Sequence, residues 1–283
     1  MLIIYAIPFF LLLMAIEFLA CRRTKQAIRG YEIRDTVASI GMGIGSLVVK
    51  IPFLGAVYAL NSFLYEYRVF DLPDVWWVFP ALLVSEDFCF YWFHRVRHEV
   101  RFLWTEHIAH HSSENYNLAT ALRQPWTAIV TGPIFWAPMG LLGFTPEQIV
   151  LAHSISLIYQ YWIHTELVGK LGPFEWIFNT PSHHRVHHGR NALYLDRNHG
   201  GILIIWDRIF GTFQLETEPV DFGLTTNINT FNMLTMVFGE FANTWRDAKN
   251  APGLRSKLGY IFGPPGYSHD GSRKTSKQMR AEL

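Results

Sequence analysis

An apolar run long enough to cross a bilayer leaves a chain one option. Backbone N–H and C=O groups in hydrocarbon must be satisfied within the segment, which a helix does and a loop cannot. Leu2 to Ala20 is such a run, with a single charge, Glu17, near its end. A cleavable leader carries its positive charge first and ends in small residues. Here the positive residues follow, as Arg22, Arg23, Lys25 and Arg29. The positive-inside rule then places the loop after this span in the cytosol and the N-terminus outside.

Further apolar stretches follow. The second covers about 37–64 and is interrupted by Lys50, whose cost of roughly 2.5 to 3.5 kcal/mol at mid-bilayer predicts a bent, shortened or partly enclosed segment. The third, 75–93, is rich in Trp and Phe, carries Glu86 and Asp87 facing inward, and leads into His94. Residues 127–144 and 146–163 read as a helical hairpin turning at Gly143–Pro146. Only 17% of the chain is charged against roughly a quarter in soluble domains, which agrees with the bilayer. The expectation is an all-α, multi-span helical membrane protein. Spans in 1–72 lead to a catalytic domain over 73–215 and a cytosolic segment with a basic, Gly/Pro-punctuated tail over 216–283.

A net charge of +1 gives no reason to expect nucleic acid. Cys21 and Cys89 supply neither a disulfide framework nor paired Cys-x-x-Cys motifs. Histidine is the unusual residue, with thirteen in the chain. His94 and His98 are spaced i, i+4, and His107, His110 and His111 follow as His-x-x-His-His. That spacing recurs in His184, His187 and His188, and on a helix it puts the rings on nearly one face. His164 ends the hairpin. With the topology above, every one of these residues arrives on the cytosolic side, as a single site requires.

Neutral imidazole suits iron, zinc, copper and nickel. Nine candidate ligands, His94, His98, His107, His110, His111, His164, His184, His187 and His188, are too many for one ion, so two metals are expected. His153 lies eleven residues before His164, on the same helical face but roughly 16 Å away, too far to share a site. His183, His199 and His269 read as bystanders. Metal-bound histidines usually donate their other ring N–H to an acceptor. Glu99, Glu166 and Asn191 are the supporting residues expected first, with Glu106, Glu114, Asp196, Asn115 and Asn117 also near. Arg95, Arg97, Arg185 and Arg190 would bind lipid phosphate, pair with these acids, or form an ordinary positive-inside fringe. The aromatic Trp206-Asp-Arg-Ile-Phe segment is expected to pack under the site.

The His-x-x-x-His and paired His-x-x-His-His motifs resemble the fatty acid hydroxylase/sterol desaturase superfamily of membrane di-iron enzymes. The likeness runs from about Val75 to Phe213 and includes Trp162-Ile-His-Thr-Glu and Asn179-Thr-Pro-Ser-His-His. The resemblance implies two iron ions, with zinc able to replace them in purified protein. It also implies dioxygen as oxidant and hydroxylation of a lipid C–H bond in an ether lipid, fatty acyl chain or sterol. A sterol desaturase or C-4 methyl oxidase is the alternative within the superfamily. No fused haem domain is present, so electrons come from a separate donor, tetrahydrobiopterin being one candidate by resemblance. Fatty acid 2-hydroxylases of the superfamily carry a further histidine where this chain has Gln160, which leaves the ligand count of one metal open. Two readings of other classes compete: a membrane metal transporter, whose sites usually lie near mid-membrane, and a zinc metallohydrolase, which no His-Glu-x-x-His motif supports.

Overall fold

Glu17, the lone charge of the first apolar run, decides where that helix docks. In the computed structural model, which describes residues 2–24 and 29–283, helix α1 (Leu2–Arg23) buries this carboxylate almost completely. It accepts hydrogen bonds from the Leu118 N–H at 2.7 Å, the Thr165 hydroxyl and the Tyr31 hydroxyl. Two turns earlier, Phe10 stacks on Tyr161 at 4.0 Å and accepts that tyrosine's hydroxyl on its carbonyl. The opposite face of α1 points outward, with Tyr5, Phe9, Leu12 and Ile16 exposed. Lys25, one of the residues used to orient this span, lies outside the described residues.

Helix α2 (Ile33–Lys50) passes through a single 3-10 turn at Ile51–Phe53 into α3 (Leu54–Glu66). The expected interruption at Lys50 is therefore a change of helix type at Pro52, whose missing N–H suits a helix start. By length and composition alone, Leu2–Arg23 and Ile33–Glu66 could each cross a membrane. Two glycines let α2 approach the chain that follows the second histidine motif. A Cβ at Gly43 would sit 2.7 Å from the Leu122 carbonyl, and one at Gly45 would collide with the Trp126 ring. Trp126 closes this contact by donating to the Met42 carbonyl. Nearby, the buried Arg123 guanidinium pairs with Asp35 and bonds Ser39 and Ser112.

Helix α4 (Val78–Glu99) carries Glu86 and Asp87 midway and both residues of the first histidine motif in its last two turns. It breaks at Val100 and α5 (Arg101–His111) begins at once. The expected hairpin forms from α6 (Ala128–Thr131), α7 (Pro133–Leu142) and α8 (Pro146–Trp162). Its turn is at Gly143, whose φ of +103° only glycine adopts easily, followed by a Thr145–Gln148 capping box. These three helices are shorter than a full span, and with α4 they enclose the apolar core of Leu82, Phe90, Trp136, Met139 and Ala152.

Beyond the hairpin the chain is mostly irregular, interrupted by α9 (Pro181–His187) and α10 (Ile205–Ile209). Two buried carboxylates hold the segment around α10 in place. Asp87 accepts from the N–H groups of Ile202 and Leu203 and from Trp206 Nε1, at 2.6, 3.0 and 2.9 Å. Asp207 accepts from His199 N, Gly200 N and Thr212 Oγ1. The aromatic segment thus lies beside α4, against Phe88, Tyr91 and Trp92. The chain ends in α11 (Met233–Asn250), α12 (Gly253–Phe262) and a short α13 (Ser276–Arg280).

Replacing Glu17 with Leu would strand three donors in a buried position. The expected loss is about 3 kcal/mol, or roughly 5–10 °C in thermal midpoint for a chain of this size. Melting of the detergent-solubilised protein checks this, and an unchanged midpoint would show that α1 docks by apolar contact alone.

Candidate metal centre

Four helices point their C-terminal ends at one place. His94 and His98 occupy the last two turns of α4, and His107, His110 and His111 those of α5. His164 follows the end of α8, while His184, His187 and His188 close α9. A helix C-terminus carries roughly half a negative charge, so the ends themselves favour a cation between them.

The nine rings fall into two groups, His94, His98, His107, His111 and His187 in one and His110, His164, His184 and His188 in the other. Within each, the potential ligand atoms lie within 4.8 Å of one another, and all nine residues are buried. In the larger group His98 contacts all four others, at 5.3, 5.1, 4.8 and 4.8 Å between ring centroids. His94, His107, His111 and His187 form a closed ring in which each touches two neighbours. His98 thus caps a base of four rings. The second group abuts this base through His111–His188, at 4.3 Å and stacked, and through His184–His187 and His107–His110, both at 5.2 Å.

Backbone carbonyls fix the orientation of the rings. Nδ1 of His94 donates to the His199 carbonyl at 2.9 Å, that of His187 to Arg197 at 2.9 Å, that of His110 to Arg123 at 3.2 Å and that of His164 to Gln160 at 2.7 Å. A carbonyl only accepts, so these four rings carry their proton on Nδ1 and present a bare Nε2 inward. Nε2 of His110 and His164 then face each other at 3.4 Å with no proton to share. Nε2 of His98, His187 and His188 is buried without any partner. Lone pairs gathered this way repel unless a cation lies among them, so the donor set fits a pair of metal ions. The charge state agrees. Burial first and neighbouring imidazoles second hold His107, His111, His184 and His188 well below the usual histidine range, and His110 and His187 follow them. Burial alone pushes His164 down to about 4.

The supporting residues differ from those expected. Glu99 pairs with Arg95 on the surface of α4, Glu166 accepts from the Arg29 N–H, and Asn191 bonds Glu218, Pro219 and Asp221. None of the three holds a ring of the two groups, and carbonyls take that part instead. Glu106 pairs with Arg97 and Thr131, Glu114 with Asn227, and Asn117 with Gly30. Asp196 alone among the acids considered faces a ligand candidate, 3.5 Å from His98 Nδ1. The four arginines beside the motifs all pair with acids, Arg185 with Glu216 and Arg190 with Asp221 completing the set.

His153 pairs with Glu86 and His269 with Tyr260, and His183 packs on Phe213, all outside both groups. Gln160 serves through its carbonyl, while its side chain donates to Ser156. His199, read as a bystander, packs against His94, His98 and His187 with both ring nitrogens buried and unpartnered. It stands alone in sequence, so no spacing marks it. Tyr116 is likewise unmarked: it stacks on Phe222 and contacts His164 and His188 of the smaller group.

Residues 79–212 match the family model described as fatty acid hydroxylase. The chain is 44% identical over 267 residues to the alkylglycerol monooxygenase of Homo sapiens, covering 93% of this chain and 59% of that one. The Caenorhabditis elegans alkylglycerol monooxygenase is 40% identical over 255 residues, 84% of this chain and 49% of that one. A Rhizobium tropici ornithine lipid hydroxylase is 30% identical over 165 residues, covering 55% and 49%. The chain thus spans about half of the length of the curated relatives it matches. No solved structure matches it.

Because the folded protein keeps these histidines neutral while the unfolded chain protonates them near pH 6.5, stability falls as pH drops below that value. For His164 the loss is complete near pH 4. Chelator-treated protein should therefore show a flat thermal midpoint above neutrality and a progressive fall between about pH 6.5 and 4. A midpoint constant across that window would contradict the neutral buried cluster.

Proposed function

The chain belongs to the fatty acid hydroxylase family through residues 79–212, and from that membership we propose that it is an integral membrane di-iron monooxygenase that hydroxylates a lipid C–H bond with dioxygen. The observation that carries this reading is the pair of adjoining, buried imidazole groups, with Nδ1 of four rings held by carbonyls so that their Nε2 atoms are bare. Two iron ions held there would supply the redox chemistry that turns dioxygen into an oxidant for an unactivated C–H bond. The larger group would hold one ion through Nε2 of His94, His98, His107, His111 and His187. The smaller would hold the other through His110, His164, His184 and His188.

The residues around these groups do three things. Carbonyls of Gln160, Arg123, Arg197 and His199 keep the Nε2 atoms aimed inward. Tyr116 and Phe222 cover the smaller group with apolar surface and keep bulk water away from it. Between α4 and α7, an apolar groove of about 490 Å³ lined by Val84, Phe88, Cys89, Trp92, Phe135 and Trp206 suits a hydrocarbon chain. It ends at Trp92, two residues before His94 on the same helix.

The substrate we favour is an ether lipid, because the alkylglycerol monooxygenases align along most of this chain. Since one oxygen atom enters the product and the other leaves as water, two electrons come from outside. A reduced pterin or a separate redox protein would provide them. The helices α1 and α2–α3 would cross the bilayer and α4 with the α7–α8 hairpin would enter it, with the histidines at its cytosolic edge.

Protein from iron-supplemented cells should contain about two irons per chain, the number the two imidazole groups can hold. It should consume dioxygen with alkylglycerol and a reductant. His110→Ala and His187→Ala should each lose metal and at least about a hundredfold in oxygen uptake. Glu99→Gln should keep both, since that carboxylate only pairs with Arg95. Two bound metals with no oxygen uptake from any lipid would turn the reading towards metal transport.

A further inference from the structure

Helix α11 is turned inside out for a protein surface. Its acids face the protein: Glu240 and Asp247 both bind the buried Arg101 of α5, at 2.9 and 2.7 Å. Arg273 adds a second cation to Asp247. The opposite side of the same helix carries Leu234, Phe238 and Trp245, spaced i, i+4, i+11, and all are exposed, Trp245 by 71%. Helix α12 repeats the pattern with Leu254, Leu258 and Phe262 at i, i+4, i+8, with Leu254 also 71% exposed. Phe102 of α5 joins the two stripes. It contacts Phe241 at 6.2 Å, and its neighbour Arg101 donates its N–H to the carbonyl of Gly263, next to Phe262.

A face this apolar is stable in water only if something covers it. Its charge and its position say what does. Arg246, Lys249, Arg255 and Lys257 flank the stripes, and among the described residues none of them is in an ion pair. Basic residues beside an apolar stripe on a helix are the composition of a segment lying in a lipid headgroup layer, where acyl chains take the stripe and anionic headgroups the cations. The surface is also continuous with the apolar exterior of α2. Met233 fits so closely against Gly41 that a Cβ there would lie 2.6 Å from its sulfur. Met236 and Val237 share a core with Ala38 and Met42. On the outward side of α2, Val37, Ile44 and Leu47 are exposed and extend the same surface.

We propose that the α11–α12 hairpin is an interfacial anchor seated in the anionic headgroup layer of the bilayer that α1 and α2–α3 cross. This rests on the reading of the chain as an integral membrane enzyme. Since α11 grips α5 through Arg101, bilayer contact there would brace the helix that supplies His107, His110 and His111.

The test uses the full chain in lipid nanodiscs, in a Cys21→Ala, Cys89→Ala background. Single cysteines replace Trp245, Leu258, Leu12 or Ser272, each carrying a nitrobenzoxadiazole label, and lipids bear a doxyl quencher. Quenching at positions 245 and 258 should exceed that at the polar, exposed position 272 by about twofold or more. It should rise when phosphatidylserine is added to phosphatidylcholine, and Arg255→Glu with Lys257→Glu should abolish that rise. If the label at position 12, on the outer face of α1, is unquenched, the membrane reading itself fails. If position 12 is quenched while 245 and 258 behave like 272, the anchor is overturned and the spans stand. Labels at 245 and 258 that are shielded from water yet unquenched would assign the face to a protein partner or a second copy, which also overturns it.

Discussion

Nitrogen lone pairs aimed at one another repel, and a folded chain keeps them together only by holding each ring from behind. Here that grip comes from main-chain carbonyls. They bind Nδ1 of His94, His110, His164 and His187 and so leave Nε2 bare inside. Protonation would relieve the repulsion, but burial opposes it. A metal ion relieves it without adding a proton, and the converging helix C-termini work in the same direction. Much of the remaining structure serves to place those carbonyls. Asp207 fixes the N–H groups of His199 and Gly200, and Asn198, at a φ of +56°, ties the same loop to Gln214. Arg123, whose carbonyl holds His110, is itself pinned by Asp35 on α2.

This division explains which parts of the molecule can be read from the sequence. The ligand candidates are legible because imidazoles at i, i+3 and i+4 leave a spacing that few other roles produce, and the structure gathers all nine. Their supports are not legible. Every residue has a carbonyl, so composition carries no mark of the one at Arg197 or Gln160. A search for carboxylates finds Glu99 and Glu166 because they stand near in sequence, yet both point to arginine partners. His199 escapes for a related reason. It reaches the site through a loop set by Asp87 and Asp207, which are far from it in sequence or hidden in an aromatic segment.

The helices show a similar contrast. The hairpin turn at Gly143 is readable because glycine admits a positive φ that other residues resist, and the break near Lys50 because a charge inside an apolar run is costly. Helix α11 is not, because its hydropathy shows only an apolar patch near Met233–Phe241. Hydropathy along a chain averages over faces. On α11 the charged face, Glu240 and Asp247, turns to Arg101 and the apolar face turns outward, so that average hides the feature that matters.

The two histidine groups are unequal, and the inequality bears on how a lipid would be oxidised. The larger group offers five imidazoles and the smaller four, so an ion held in the smaller one would keep more room for a further ligand. The two groups abut through His111–His188 and His184–His187 and so share one buried space. Ions held there would be screened from solvent, since all nine residues are buried. The back of that space is closed by His98, His199 and Tyr91, and its flank by Tyr116 and Phe222. The apolar groove between α4 and α7 ends at Trp92, two residues before His94 on the same helix. Those helices descend from the apolar core, so a reacting carbon would reach the metals from the hydrocarbon side. A groove with that apolar lining favours a long hydrocarbon chain, which is the physical reason for reading this chain as an enzyme of lipids rather than of water-soluble metabolites.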